Sequence, residues 1–159
     1  MIFTIGHSNH SIGYFLEILK EHGIQTVVEV RSIPSSKFSP HFNKHNLILE
    51  LEKSGINYVD MSRSLGGRPQ DQSVLNSFNK IEIEKMEKKD WYNDAISKLV
   101  EISKDSKTAV MCSEENPAQC HRGYIIAHTL LKRGVEVFHI RGDKTYQKAI
   151  FIARQGALF

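Results

Sequence analysis

One pattern constrains the fold of this chain more than any other. Three times, a segment with helical spacing ends at a glycine and is followed by a short β-type run. Glu21-His22-Gly23 leads into Thr26-Val27-Val28-Glu29-Val30, Lys53-Ser54-Gly55 into Ile56-Asn57-Tyr58-Val59, and Lys132-Arg133-Gly134 into Val135-Glu136-Val137-Phe138-His139-Ile140. A glycine just past a helix supplies the left-handed residue that closes the last turn. Upstream of these glycines the apolar residues recur at helical intervals. Phe15, Ile18, Leu19 and His22 share one face, as do Leu47, Leu51 and Ser54, and Ile126, Leu130 and Arg133. Further β-type runs cover 2–5 and 108–112. Strands alternating with helices predict a single α/β domain over 1–159. The expected form is a three-layer sandwich, with a mainly parallel sheet of about five strands and helices on both faces.

Composition agrees with a folded domain. The 159 residues are 40% hydrophobic and 25% charged, enough to build a core and unlike a disordered chain. A formal charge of +3 accommodates an anionic ligand without the clustered basic stripe of a nucleic-acid reader. Two cysteines do not make a disulfide framework. The first residues lack the basic region and long apolar stretch of a signal peptide. No apolar run approaches the ~20 residues that span a bilayer. A reducing cytoplasm, free thiols and no membrane partner are expected.

Between 70 and 107 the chain is rich in charge, as in Glu82-Ile83-Glu84-Lys85-Met86-Glu87-Lys88-Lys89. This reads as one or two helices with a solvated face, the second carrying Trp91, Tyr92, Ile96, Leu99 and Ile102; a lid over a site is the lesser alternative. A last helix is expected over 143–155.

In an open α/β sheet, ligands bind beyond the carboxyl ends of the strands. The uncommon residues of this chain gather there. Gly6-His7-Ser8-Asn9-His10 follows the first strand, and Arg31-Ser32-Ile33-Pro34-Ser35-Ser36-Lys37 the second. Ser62-Arg63-Ser64-Leu65-Gly66-Gly67-Arg68 follows the third, and Ser113-Glu114-Glu115-Asn116-Pro117-Ala118-Gln119-Cys120-His121-Arg122 the fourth, whose last residue is Cys112.

Thr4-Ile5-Gly6-His7-Ser8, Val30-Arg31-Ser32-Ile33-Pro34-Ser35-Ser36-Lys37, Leu65-Gly66-Gly67 and the run from Cys112 to Cys120-His121-Arg122 together resemble the family called domain of unknown function 488. The resemblance extends over nearly the whole chain. It implies an α/β three-layer fold and little about activity. That family usually has aspartate where this chain has Glu29. A weaker similarity is to the rhodanese pattern, in which a strand-end cysteine before a helix carries a persulfide. Here Cys112 holds that place, with a longer loop bearing two glutamates. The Cys-x5-Arg spacing of cysteine phosphatases is absent.

Cys120, at an expected helix start beside His121 and Arg122, is the first candidate nucleophile, with its thiolate favoured; packing of the helix start is the alternative. Cys112 reads as structural, or as a resolving thiol or persulfide carrier. Arg122 opposes the helix dipole, so an anionic ligand, or an ion pair with Glu114 or Glu115, should compensate it. Arg31 meets the same two readings. His7 and His121 have the chemistry of acid/base groups near neutral pH. Ser8, Ser36 and Lys37 offer a phosphate hydroxyls and an ammonium, and Gly66 and Gly67 allow close backbone approach. Phe38, Phe42 and Tyr58 offer a stacking surface or core packing. Cys112, Cys120, His121 and His7 are zinc-ligand types, but their spacing fits no compact metal signature, so no metal and no cofactor are expected.

The residues therefore lead to an intracellular enzyme acting on a small anionic or phosphorylated substrate, a thiol-dependent transferase or hydrolase. Two alternatives stay open. One is a nucleotide or nucleic-acid phosphate-binding module without catalysis, with nucleic acid the less favoured partner. The other is a thiol redox or sulfur-transfer protein.

Overall fold

In the computed structural model, residues 1–151 are described. A six-stranded sheet in the order β3-β2-β4-β1-β5-β6 forms the centre of the α/β fold. The strands are β1 (Ile2–Gly6), β2 (Thr26–Glu29), β3 (Asn57–Asp60), β4 (Thr108–Cys112), β5 (Val137–Ile140) and β6 (Tyr146–Lys148). β1 to β5 are mutually parallel and β6 pairs antiparallel with β5. The sheet thus has one strand beyond the expected five.

That sixth strand replaces part of the helix expected over 143–155. Asp143 Oδ1 accepts bonds from the backbone N–H and hydroxyl of Thr145, Lys144 takes a positive φ, and Arg141 N–H donates to Thr145 O at 2.8 Å. These contacts close a hairpin, which local turn chemistry favours over another helical turn. Positions 152–155 of the expected helix lie outside the described residues.

Alternation along the central strands sorts the core into two layers. Val27, Ala109 and Met111 face one side, packed with Phe15, Ile18 and Leu19 of α1 (Ile12–Glu21) and Leu47 and Leu51 of α2 (Lys44–Lys53). Val28, Val110 and Cys112 face the other, against Ile96 and Leu99 of α5 (Asp90–Asp105) and Leu130 of α6 (His128–Lys132). Every residue of β1, β2 and β4 is buried, as expected of parallel strands covered on both faces. The 70–107 segment contributes two short helical turns (Gln72–Val74 and α4, Ile83–Met86) before α5; a one-turn α3 (Ser62–Leu65) precedes it. The helix after Cys120 opens with π-helical turns over Arg122–Ala127 before it settles into α6.

Chain leaving β1 and β2 turns toward the β3 edge, whereas chain leaving β4 crosses toward β5. The reversal puts a switch point at the carboxyl end of β4, between β2 and β1, where an open sheet leaves a crevice between its loops.

Candidate functional site

That crevice is a hollow of about 480 Å³ at the ends of β1, β2 and β4. Of the residues singled out in the sequence, His7, Arg31, Ser36, Gly67, Cys112, Glu114, Cys120 and His121 line it. Segments far apart along the chain therefore meet in one place. Ser8, Lys37, Gly66 and Arg122 are not part of the lining, and no residue between 70 and 107 is, so that segment does not act as a lid here.

At the floor, Cys112 Sγ and Cys120 Sγ each lie 3.8 Å from His121 Nδ1. All three residues are buried. The other imidazole nitrogen, Nε2, is 2.9 Å from the carbonyl oxygen of Val30. A carbonyl only accepts, so Nε2 carries the hydrogen and Nδ1 faces the two sulfurs. Gly67 packs against this ring so closely that a Cβ there would fall 2.8 Å from Nδ1.

The two thiols differ in the direction opposite to the sequence expectation. The Cys112 thiol is lowered to about 7, chiefly because Cys120 S–H donates to it, helped by Ser113 and the positive charge of Arg122 and opposed by burial. The Cys120 thiol is pushed up to about 12, because ionising it forfeits that bond and leaves charge in a buried place. The helix start does not rescue Cys120, whose neighbouring sulfur claims the negative charge first. Cys112, read as structural from sequence, is the thiol poised to ionise.

Arg122 stands in the wall behind the hollow and is not part of its lining. It is fully buried; its two Nη atoms donate to the backbone carbonyls of Glu114 and Glu115, the latter at 2.8 Å, and Nε donates to Thr4 Oγ1 at 3.3 Å. The carboxylates of the two glutamates take no part in this: Glu115 pairs instead with Arg141 at 2.7 Å. The guanidinium therefore fixes the 113–115 loop onto β1, and its charge reaches Cys112 through the wall.

Arg31 is buried against Glu29, with Nε to Oε1 at 2.8 Å and Nη2 to Oε2 at 2.7 Å. Glutamate here makes the tight two-pronged contact, and the Arg31 backbone N–H at 3.0 Å and the Tyr58 hydroxyl at 3.1 Å also donate to its carboxylate. Nη2 also donates to Phe42 O, and Nη1 lies 3.2 Å from His7 Nε2. The second Nη1 hydrogen has no acceptor among the described residues. His7 gives its Nδ1 hydrogen to Ser8 O at 2.7 Å, so Nε2 accepts from Arg31. Burial and the neighbouring Arg31 lower its pKa to about 4. His7 is thus a neutral acceptor at pH 7, stacked on Phe42 at 4.4 Å.

The expected phosphate cradle is mostly committed elsewhere. Ser36 Oγ accepts from the Phe38 and Ser39 N–H groups, while Lys37 is exposed outside the hollow. Phe38 is 97% exposed and Phe42 is buried, so no stacking pair forms with Tyr58. A Cβ on Gly66 would meet Ser62 O at 2.3 Å, which makes it a packing glycine. Ser8 adopts φ 48 and turns the chain away behind His7.

The rim-loop residues Ser32, Ile33, Ser35, Arg68, Ser113 and Gln119 also line the hollow, and sequence reasoning missed Tyr124 altogether. Ser113 and Gln119 were legible as the neighbours of the two cysteines. Tyr124 was not, since its place depends on the π-helical turns.

No helix among the described residues is long and apolar enough to cross a membrane. No curated protein matches the chain, and no solved structure does. The family model described as domain of unknown function DUF488 matches residues 11–129, from the start of α1 into α6. A match over that share of the sequence settles the family: this chain belongs to the DUF488 family.

Proposed function

We propose that this protein is a thiol-dependent enzyme acting on a small anionic substrate held in the hollow, with Cys112 as the nucleophile. The observation that carries the reading is the convergence of Cys112, Cys120 and His121 on one floor, with a buried guanidinium, unpaired with any carboxylate among the described residues, behind it. Arg68 and the remaining Nη1 hydrogen of Arg31 favour a negative group at the mouth. In the reaction the Cys112 proton passes to His121 Nδ1, and the sulfur electron pair forms a bond to an electrophilic centre of the substrate. The leaving group departs with its bonding pair and takes the proton from His121. Transfer of the bound fragment to an acceptor or to water restores the thiol, the transferase and hydrolase outcomes respectively. Free thiols require a reducing compartment, for which the cytoplasm serves.

Paired alkylating agents test this. Iodoacetate is an anion and iodoacetamide its neutral counterpart. In metal-free protein, Cys112 should react faster with iodoacetate than with iodoacetamide, and rising salt should erase the preference. Faster labelling by iodoacetamide, or equal labelling of Cys112→Ser protein, overturns the proposal.

The nearness of the two sulfurs favours a second reading, dithiol redox or sulfur-transfer chemistry. Stoichiometric loss of two hydrogens on exposure to a hydroperoxide, mapped to Cys112 and Cys120, would select it. Absence of that bond leaves the first.

A further inference from the structure

The three groups at the floor have a second use. Cys112 Sγ, Cys120 Sγ and His121 Nδ1 all lie within 4.8 Å of one another, with both sulfur-to-nitrogen separations at 3.8 Å. A tetrahedral zinc ion with Zn–S of about 2.3 Å and Zn–N of about 2.0–2.1 Å sets neighbouring ligands roughly 3.5–3.8 Å apart. Both sulfur–nitrogen pairs thus already stand close to the edge length of such a tetrahedron before any ion enters.

The surroundings match a metal site as well. A metal-bound histidine commonly donates its other ring hydrogen to a carbonyl, which fixes the ring and raises its basicity. His121 does this to Val30, and Gly67 presses on the ring from the hollow side. Two thiolates cancel the charge of a divalent ion. The soft sulfur and imidazole donors suit zinc over magnesium or calcium. Among the described residues three side chains converge, and all three line the hollow.

We infer that Cys112, Cys120 and His121 bind one zinc-class ion, with the fourth coordination position facing the hollow. This goes beyond the thiol reading and gates it: with the ion bound both sulfurs are ligands, and Cys112 is no longer free to attack. On binding, each thiol still protonated releases its proton to solvent, and removal of the ion with a chelator reverses the step. The sequence concealed the site because Cys112 ends a strand while Cys120 and His121 start a helix, so no compact spacing exists.

The test uses the full chain, stripped with chelator under reducing conditions and titrated with cobalt(II). One equivalent should give the intense ligand-field bands of a tetrahedral cobalt thiolate, with sulfur-to-cobalt charge transfer, and zinc should displace it. Cys120→Ser and His121→Ala should each weaken or abolish these bands. Zinc should also suppress alkylation of Cys112 at least tenfold. Weak octahedral spectra, more than one equivalent with no thiolate band, or undiminished bands in Cys120→Ser overturn the inference. The spectrum of the unsubstituted protein decides by itself where a variant fails to fold. Slow alkylation of the metal-free protein would instead sink the nucleophile reading and leave the metal site standing.

Discussion

His121 donates its Nε2 hydrogen to the carbonyl oxygen of Val30, 2.9 Å away, and by doing so turns Nδ1 toward Cys112 and Cys120. The residue just past β2 thereby aims an imidazole supplied by the segment after β4. The strand order makes this inevitable, because β2 and β4 are neighbours in parallel register, with Glu29 opposite Met111. A site of this kind depends on the sheet more than on any local motif.

Cys120 acts on Cys112 as a hydrogen-bond donor. Cys120→Ala removes that donor, whereas Cys120→Ser keeps an O–H in its place. In metal-free protein near pH 7, Cys120→Ala should slow alkylation of Cys112 by roughly tenfold, the effect of losing one charge-assisted bond of about 1.5 kcal/mol. Cys120→Ser should stay within a few-fold of the parent. Equal rates for all three proteins would show that Cys112 owes nothing to its neighbour.

Arg122→Ala removes three donors from a fully buried position and leaves the Glu114 and Glu115 carbonyls facing a void. The expected cost is about 3 kcal/mol or more, read as a fall in the denaturant midpoint at unchanged slope. Arg122→Lys should recover little of it, since one ammonium does not reproduce the fork that grips both carbonyls. A variant of parental stability that loses its preference for iodoacetate would return Arg122 to the ligand.

The architecture was readable because it rests on periodicity. Phe15, Ile18 and Leu19 announce a helix face, the glycines announce its end, and the apolar run Ala109-Val110-Met111-Cys112 of β4 announces a central strand. The rim was readable because strand ends are where an α/β sheet leaves room. What each rim residue does was not readable, since direction and depth decide it. Arg122 points into the wall and Lys37 points away, and nothing in residue type separates them. The order of the two thiols depends on which sulfur receives the other's hydrogen, a relation across the floor that spacing does not encode. The C-terminal hairpin escaped because Tyr146, Gln147 and Lys148 are all exposed and carry no strand-like alternation.

Gly67→Ala isolates the packing on His121. The backbone there is not in the left-handed region, and the nearest atoms the added methyl meets are those of the ring, 2.8 Å to Nδ1 and 3.1 Å to Cγ. Val30 holds the far nitrogen, so the imidazole is expected to tilt. Cobalt affinity should fall roughly tenfold, the scale of disturbing a group that orients a ligand, while the melting temperature moves by only a few degrees. Unchanged affinity would mean that the ring has room to yield.

His139 makes stability depend on pH. Thr4 Oγ1 accepts from Arg122 Nε, so its own hydrogen goes to His139 Nδ1 at 2.7 Å and the imidazole is held neutral. Burial, Arg122 and Arg141 lower its pKa to about 4, from 6.5 in the unfolded chain. Below pH 6.5 the unfolded chain therefore takes up a proton that the folded protein refuses until about pH 4. Stability is lost across that window as pH falls, by about 2 kcal/mol from this group at pH 5. His7, lowered to about 4 as well, adds a loss of the same sign. The carboxylate of Glu115, held by Arg141, titrates lower, at about 2 in the folded protein, and counts mainly below this range. Urea denaturation of the parent and of His139→Gln at pH 7 and pH 5 should show the variant losing about 2 kcal/mol less between the two. Parallel declines would mean that His139 is protonated in the folded protein without penalty, and that the Thr4–His139 bond does not hold it neutral.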